Sequence, residues 1–116
     1  MLPAPKDLDH LKQMLADATE ARNLVCSRPI DALAGDRITC LAVERLLQRI
    51  GETAQAISPA TRHATADIPW QRLAQLRQTL AVDPPDLDPR LLYAIGSRDA
   101  PDLIRALQTV LPSDED

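Results

Sequence analysis

Ile50-Gly51-Glu52-Thr53-Ala54, then Ile68-Pro69-Trp70, then Leu76-Arg77, is the stretch on which the reading of this chain turns. It holds the only Trp, one of the three Gly and an Arg set on an otherwise apolar helical stripe. Upstream of it, Val43, Leu46, Leu47, Ile50, Ala54 and Ile57 recur at helical spacing and form one inner face. Ile38, Leu41 and Ala42 extend the apolar positions onto a second face, which predicts packing against more than one neighbour. Asp36 is the expected N-cap of this helix, and Ser58-Pro59 the expected close. A mid-helix Gly costs about 1 kcal/mol relative to Ala. Gly51 therefore implies close approach of another backbone, since it puts no side chain in the way.

Downstream, Ala60 to Asp67 reads as a polar connection containing His63. Asp67 is then the expected cap of a further helix with Pro69 in an early position. Trp70, Leu73, Leu76, Arg77 and Leu80 share helical spacing, with Trp70 read as a core anchor because of the area it buries. An unpaired buried charge is very costly, so Arg77 on that stripe needs a partner, and Glu52 of the preceding helix is the expected one.

Working outward, Leu8, Leu11, Leu15, Ala18 and Val25 mark a first helix of about five turns, capped by Asp7. Lys12, Asp17, Glu20 and Arg22 are its expected solvent side, and Ser27-Arg28-Pro29 its stop. Pro29 to Gly35 has room for one helical turn ended by Gly35. Val82 to Pro89 contains Pro84, Pro85 and Pro89 and excludes regular helix. Asp88-Pro89 starts a short helix through Ile95 that Gly96 ends, and Asp99 caps a last helix with Leu103, Ile104, Leu107, Val110 and Leu111 inside. No strand alternation and no internal repeat is visible. The pattern predicts an all-α, antiparallel four- to five-helix bundle, one domain over residues 1–116 with loose ends at 1–6 and 112–116.

Composition sets limits on function. Hydrophobic residues are 45% and charged residues 26%, as in a globular chain. Aromatic residues are 2% with no Phe, so the core must be Leu, Ile, Val and Ala. A net charge of −4 disfavours broad nucleic-acid binding but leaves room for a local Arg cluster. No apolar run has the length of a membrane span or of a signal-peptide core, and a cytoplasmic protein is expected. Cys26 and Cys40 match no metal or redox spacing and read as two small buried or half-buried thiols; no metal and no cofactor is expected.

The Gly51-Glu52 element, Ile68-Pro69-Trp70, Leu76-Arg77 and Asp99-Ala100-Pro101-Asp102-Leu103 together resemble the HepT-like branch of the HEPN superfamily, from about Asp7 to Leu111. The resemblance implies a dimeric helical bundle. It also implies descent from metal-independent endoribonuclease toxins, encoded beside a minimal nucleotidyltransferase (MNT) antitoxin. The family's motif is Arg-Asn, three residues, His, one residue, Tyr. The Arg neutralises the scissile phosphate and the His moves a proton at neutral pH; in some members the partner enzyme modifies the Tyr. Arg77 matches the Arg, but Gln78, Val82 and Pro84 stand where Asn, His and Tyr are expected, and no His follows His63.

His10 and His63 read as surface histidines. Arg77 then has two readings, a remnant in a structural ion pair or a surviving phosphate ligand. The favoured function is a HepT-like protein without ribonuclease chemistry that works by binding, as a homodimer and with a nucleotidyltransferase partner; RNA binding is not favoured. One alternative is an active ribonuclease with a site rearranged around Arg77 with Asp83, Asp86 or His63. Another is a structural or regulatory subunit with no link to nucleic acid.

Overall fold

The computed structural model describes residues 4–81 and 88–112. The elements are α1 (Pro5–Cys26), α2 (Ile30–Ala34), α3 (Arg37–Ala56), α4 (Pro59–Ala64), α5 (Trp70–Ala81), α6 (Pro89–Ala94), a π-helical turn (Ile95–Asp99) and α7 (Ala100–Val110). No strand occurs among the described residues.

Helices α1 and α3 form the central antiparallel pair. Asp7, near the start of α1, bonds Ser58, just past the end of α3. At the opposite end Arg28, past the end of α1, pairs with Asp36, the N-cap of α3, at 2.7 Å. Helix α5 packs on α3, and the C-terminal helical run packs on α1. The core is Leu11, Met14, Ala18, Ala21 and Val25 from α1, then Val43, Leu46, Leu47, Ile50 and Ala54 from α3. Leu73, Leu76, Leu80, Leu92, Leu103, Ile104 and Leu107 close it from the other helices. The six positions expected on the inner face of α3 are all buried, Ile57 included. Leu8 and Leu15 of the α1 stripe are only half-buried.

Helix ends follow local chemistry in several places. Asp36 accepts from the Thr39 N–H at 3.0 Å and from the Thr39 hydroxyl at 2.7 Å. Asp88 accepts from the Arg90 N–H at 2.9 Å, with Pro89 opening α6. Gly35 closes α2 as expected.

Several expectations are corrected. Asp7 does not cap α1, which starts at Pro5 after Ala4. Its buried carboxylate instead accepts from the Ser58 hydroxyl at 2.6 Å and the Thr61 hydroxyl at 2.5 Å, tying α1 to α4. The expected polar connection after Ser58 contains α4, because Ser58 is its N-cap and Pro59 its first residue. Asp67 is exposed and does not adjoin α5, which begins at Trp70. Asp17 is buried, not on the solvent side. It accepts from Gln13 Nε2 at 3.0 Å, and Arg49 Nε lies 3.4 Å away. Cys26 is exposed and Cys40 buried, and both are free.

The largest correction concerns Gly96, which does not end a helix. The chain stays helical from Pro89 to Val110 by widening into the π turn, and Asp99 makes no cap bond. Gly96 is instead a contact residue. A Cβ there would lie 2.6 Å from Val25 Cγ2 and 2.9 Å from Val25 Cβ.

Two outcomes follow. Gly96→Ala is expected to lose about 1–3 kcal/mol in urea unfolding, despite the better helix propensity of Ala, because Val25 Cβ cannot swing away. Combining it with Val25→Gly, which removes both the Cβ and the methyls, should cost clearly less than the sum of the two single changes. Additive losses would mean that the two residues do not meet. Separately, the Thr39 hydroxyl, the Thr39 N–H and Arg28 hold Asp36 down to about 2. A depressed carboxyl contributes stability above its unfolded value of about 4, and this is lost as pH falls toward the folded value. Asp36→Asn should therefore flatten the fall in stability between about pH 4 and pH 2, followed by circular dichroism with urea; an unchanged slope would contradict the assignment.

Candidate functional site

Arg77 sits on α5 where that helix crosses Gly51 of α3. A Cβ on Gly51 would lie 3.0 Å from Arg77 Cβ and 3.4 Å from its Cα. The close approach expected of Gly51 is thus real, and its neighbour is the backbone that carries Arg77. Gly51 works here by absence: a side chain would push α5 away and move Arg77.

The rest of the expectation for Arg77 is corrected. Its side chain is exposed, and among the described residues it has no ion-pair partner. Glu52 pairs with Arg45 of its own helix instead, at 3.6 Å and with both side chains more than half exposed. An i, i+7 pair so open to water is weak. The reason is angular. Leu73, Leu76 and Leu80 define the buried face of α5, and Arg77 lies at its edge, where the side chain reaches water. Gln48, Glu52, Arg77 and Ala81 line one recess there.

The remaining candidates do not converge on this recess. Val82, Asp83, Pro84 and Asp86 lie outside the described residues. Trp70 is half-buried against the core, and its Nε1 donates to the Thr65 carbonyl at 3.1 Å, so it anchors the α4–α5 junction. His63 is exposed on the last turn of α4. His10 is a correction: it is half-buried and its Nδ1 has no hydrogen-bond partner among the described residues. It lies one turn from Asp7, whose carboxyl is held below the usual range by the Ser58 and Thr61 hydroxyls, with a smaller contribution from His10 itself. Among the described residues no group of His, Cys, Asp or Glu could hold a metal ion. Burial, with Asp36 and Glu44 close by, raises the Cys40 thiol, and Sγ donates to the Leu33 carbonyl at 3.2 Å; that thiol is a core group, not a nucleophile.

A second concavity went unpredicted. Arg62, His63, Trp70, Gln71, Arg72 and Gln75 face it from α4 and the first turns of α5. Arg62 and His63 fall in the segment read as a polar connection and Trp70, Gln71, Arg72 and Gln75 on the helix after it, so no spacing signal joined them. Beside it, Arg72 pairs with Asp99 of the π turn at 2.8 Å. That contact raises the Arg72 guanidinium above its already high ordinary value, so it is charged at any working pH.

Because Arg77 is exposed and has no ion-pair partner among the described residues, Arg77→Ala should change unfolding stability by no more than about 0.5 kcal/mol. A larger loss would reveal a structural role and spoil the substitution as a probe of function.

No curated protein matches the chain, and no solved structure does. Residues 9–110 match the family described as ribonuclease HepT-like, which covers the α1–α3 pair, the Gly51–Arg77 crossing and the C-terminal helical run. The chain belongs to the HepT-like family of the HEPN superfamily.

Proposed function

We propose that this HepT-like protein works by binding and does not cut RNA. The observation that carries this reading is a kept scaffold beside a missing proton carrier. Gly51 still admits the backbone of Arg77, while Val82 and Pro84 occupy the family's His and Tyr positions and no His follows His63. Valine has no proton to exchange and proline no hydroxyl to modify. An Arg alone can neutralise a phosphate, yet strand cleavage also needs a group to take and return a proton. The recess around Arg77 supplies an amide from Gln48 and a carboxylate from Glu52, with no imidazole.

The binding form is a homodimer. Ile38 is 81% exposed and Leu41 42%, with Ala42 also at the surface. These are the positions read as a second packing face of α3, and they stay at the surface among the described residues. Leu41, Gln48 and Glu52 are separated by seven and four residues, which puts them in one line along the helix. A second copy seated on Ile38 and Leu41 would therefore extend over the Arg77 recess. The family resemblance supports a minimal nucleotidyltransferase as the further partner.

Two measurements test this. The protein, incubated with structured and unstructured RNA in chelator, is expected to leave both intact; cleavage that disappears in Arg77→Ala would overturn the reading. Light scattering at micromolar concentration should give a dimer mass for the parent protein and a monomer mass for Ile38→Glu combined with Leu41→Glu. A monomeric parent would remove the homodimer.

A further inference from the structure

We propose that the partly enclosed cavity between α3, α5 and the start of α7 binds a small primary alkylamine, its apolar body inside and its ammonium held at the mouth by Asp99 and Asp102. The site is separate from the Arg77 recess and does not rest on the role proposed for that recess. Leu47 and Ile50 of α3, Leu73 and Leu76 of α5, Ile95 of the π turn and Leu103 of α7 wall it, and all six are buried. The cavity holds about 90 Å³.

Size and lining are the first argument. Packed interiors hold few voids larger than a water molecule, and one water needs only about 10–15 Å³ of such space. This cavity is several times that size. Water is a poor filling for it, since a buried water needs about two to four polar partners and the buried walls are aliphatic side chains. An apolar cavity of about 150 Å³ takes benzene, so in proportion this one takes a branched body of about four carbons. Seating such a body removes its surface and the walls' surface from water together.

The charged groups at the mouth are the second argument. Arg72, Asp99 and Asp102 are the charged residues of the lining, so carboxylates outnumber cations. Arg72 donates to Asp99 Oδ2 at 2.8 Å, and Arg105 donates to Asp102 Oδ1. Each carboxylate keeps its second oxygen without a hydrogen bond among the described residues. Asp99 and Asp102 are three positions apart on one helical run, which sets them on the same face. An alkylammonium is charged at neutral pH, as a lysine is, and its three N–H donors suit two spare acceptors. A carboxylate head would meet like charge there. The occupant would bear on the two helices that cross at Gly51 and Arg77, since α3 and α5 supply two walls each.

The experiment titrates the intact protein, methyl-labelled at Ile and Leu, with three probes of one shape: 3-methylbutylamine, 3-methylbutan-1-ol and 3-methylbutanoate. The amine should shift the methyl signals of Leu73 and Leu103 saturably and give intermolecular Overhauser contacts to them. A ligand of so few atoms should half-saturate at about 10 mM or below. The alcohol should bind at least about threefold more weakly, and the carboxylate should not bind. Asp102→Asn should raise the half-saturation concentration of the amine about threefold and leave that of the alcohol unchanged. Ala100→Leu, which puts a side chain into the cavity from its own wall, should abolish binding of the amine while the circular dichroism stays helical. The Overhauser contacts on the parent protein locate the ligand even where that variant does not fold. No saturable shift with the amine overturns the proposal, as do contacts to other methyls only. Equal binding of all three probes, or an amine affinity untouched by Asp102→Asn, overturns it as well.

Discussion

A core with no phenylalanine must be held together by nearness of approach. Aliphatic side chains are short, and dispersion between their atoms falls off steeply with even a small gap. Where helices carry Leu, Ile, Val and Ala alone, their axes must come close or leave voids. The chain meets that demand with small residues at the crossings. Ala18 and Ala21 are fully buried in α1, Gly51 receives α5, and Gly96 receives Val25. The two glycines weaken the helices that hold them, and what they gain is contact between elements. The π turn belongs to the same solution. It keeps the C-terminal run helical while placing Gly96 against α1, and π-bulges of this sort recur where a helix must be re-aimed.

Close packing of two long antiparallel helices buries Asp7 and Asp17 and half-buries Asp36, and each makes a contact between elements. Asp7 is buried and binds the start of α4 through two hydroxyls and an N–H. Asp17, midway along α1, faces Gln13 and Arg49. Asp36 closes the far end with Thr39 and Arg28. A buried ion pair is weak evidence for added stability, since desolvation offsets much of the attraction. Its use here is register. Three acidic groups accept partners from different elements, and sliding α1 against α3 by one turn would break the Arg49–Asp17 and Arg28–Asp36 contacts and pull Asp7 from Ser58.

The helical class and most of the inner face were legible in the sequence because they follow from period alone. Val43, Leu46, Leu47, Ile50, Ala54 and Ile57 are buried as their spacing demands. Gly51 was legible because glycine is costly in mid-helix and so needs a reason. The failures share another cause. Asp7 and Asp17 were assigned by residue type, and type cannot say which neighbour arrives from a distant part of the chain. Ser58-Pro59 stops one helix and starts another, and the two readings use the same residues. Gly96 and Asp99 carry the local signature of a break, but tertiary contact with α1 overrides it. Arg77 was counted with Leu73, Leu76 and Leu80, yet the stripe on α5 is narrower than its spacing implies, and the Arg falls at the rim.

That rim position bears on what the Arg77 recess can do. A guanidinium buried in one chain would be consumed by a structural pair; a guanidinium far from any surface feature would be an ordinary solubilising charge. Arg77 is neither. Its backbone is fixed by contact with Gly51, its side chain is exposed and unpaired among the described residues, and it lies in line with the uncovered apolar positions of α3. Placement is thus rigid at the root and open at the tip. Such an Arg is open to an outside surface, and in the homodimer proposed above each copy would supply a wall of the other's recess. The nearest carboxylate, Glu52, is tied only loosely to Arg45, so an incoming surface can draw it away at small cost. Under the binding role proposed above, the looseness of Glu52 and the exposed tip of Arg77 are what an incoming surface would use.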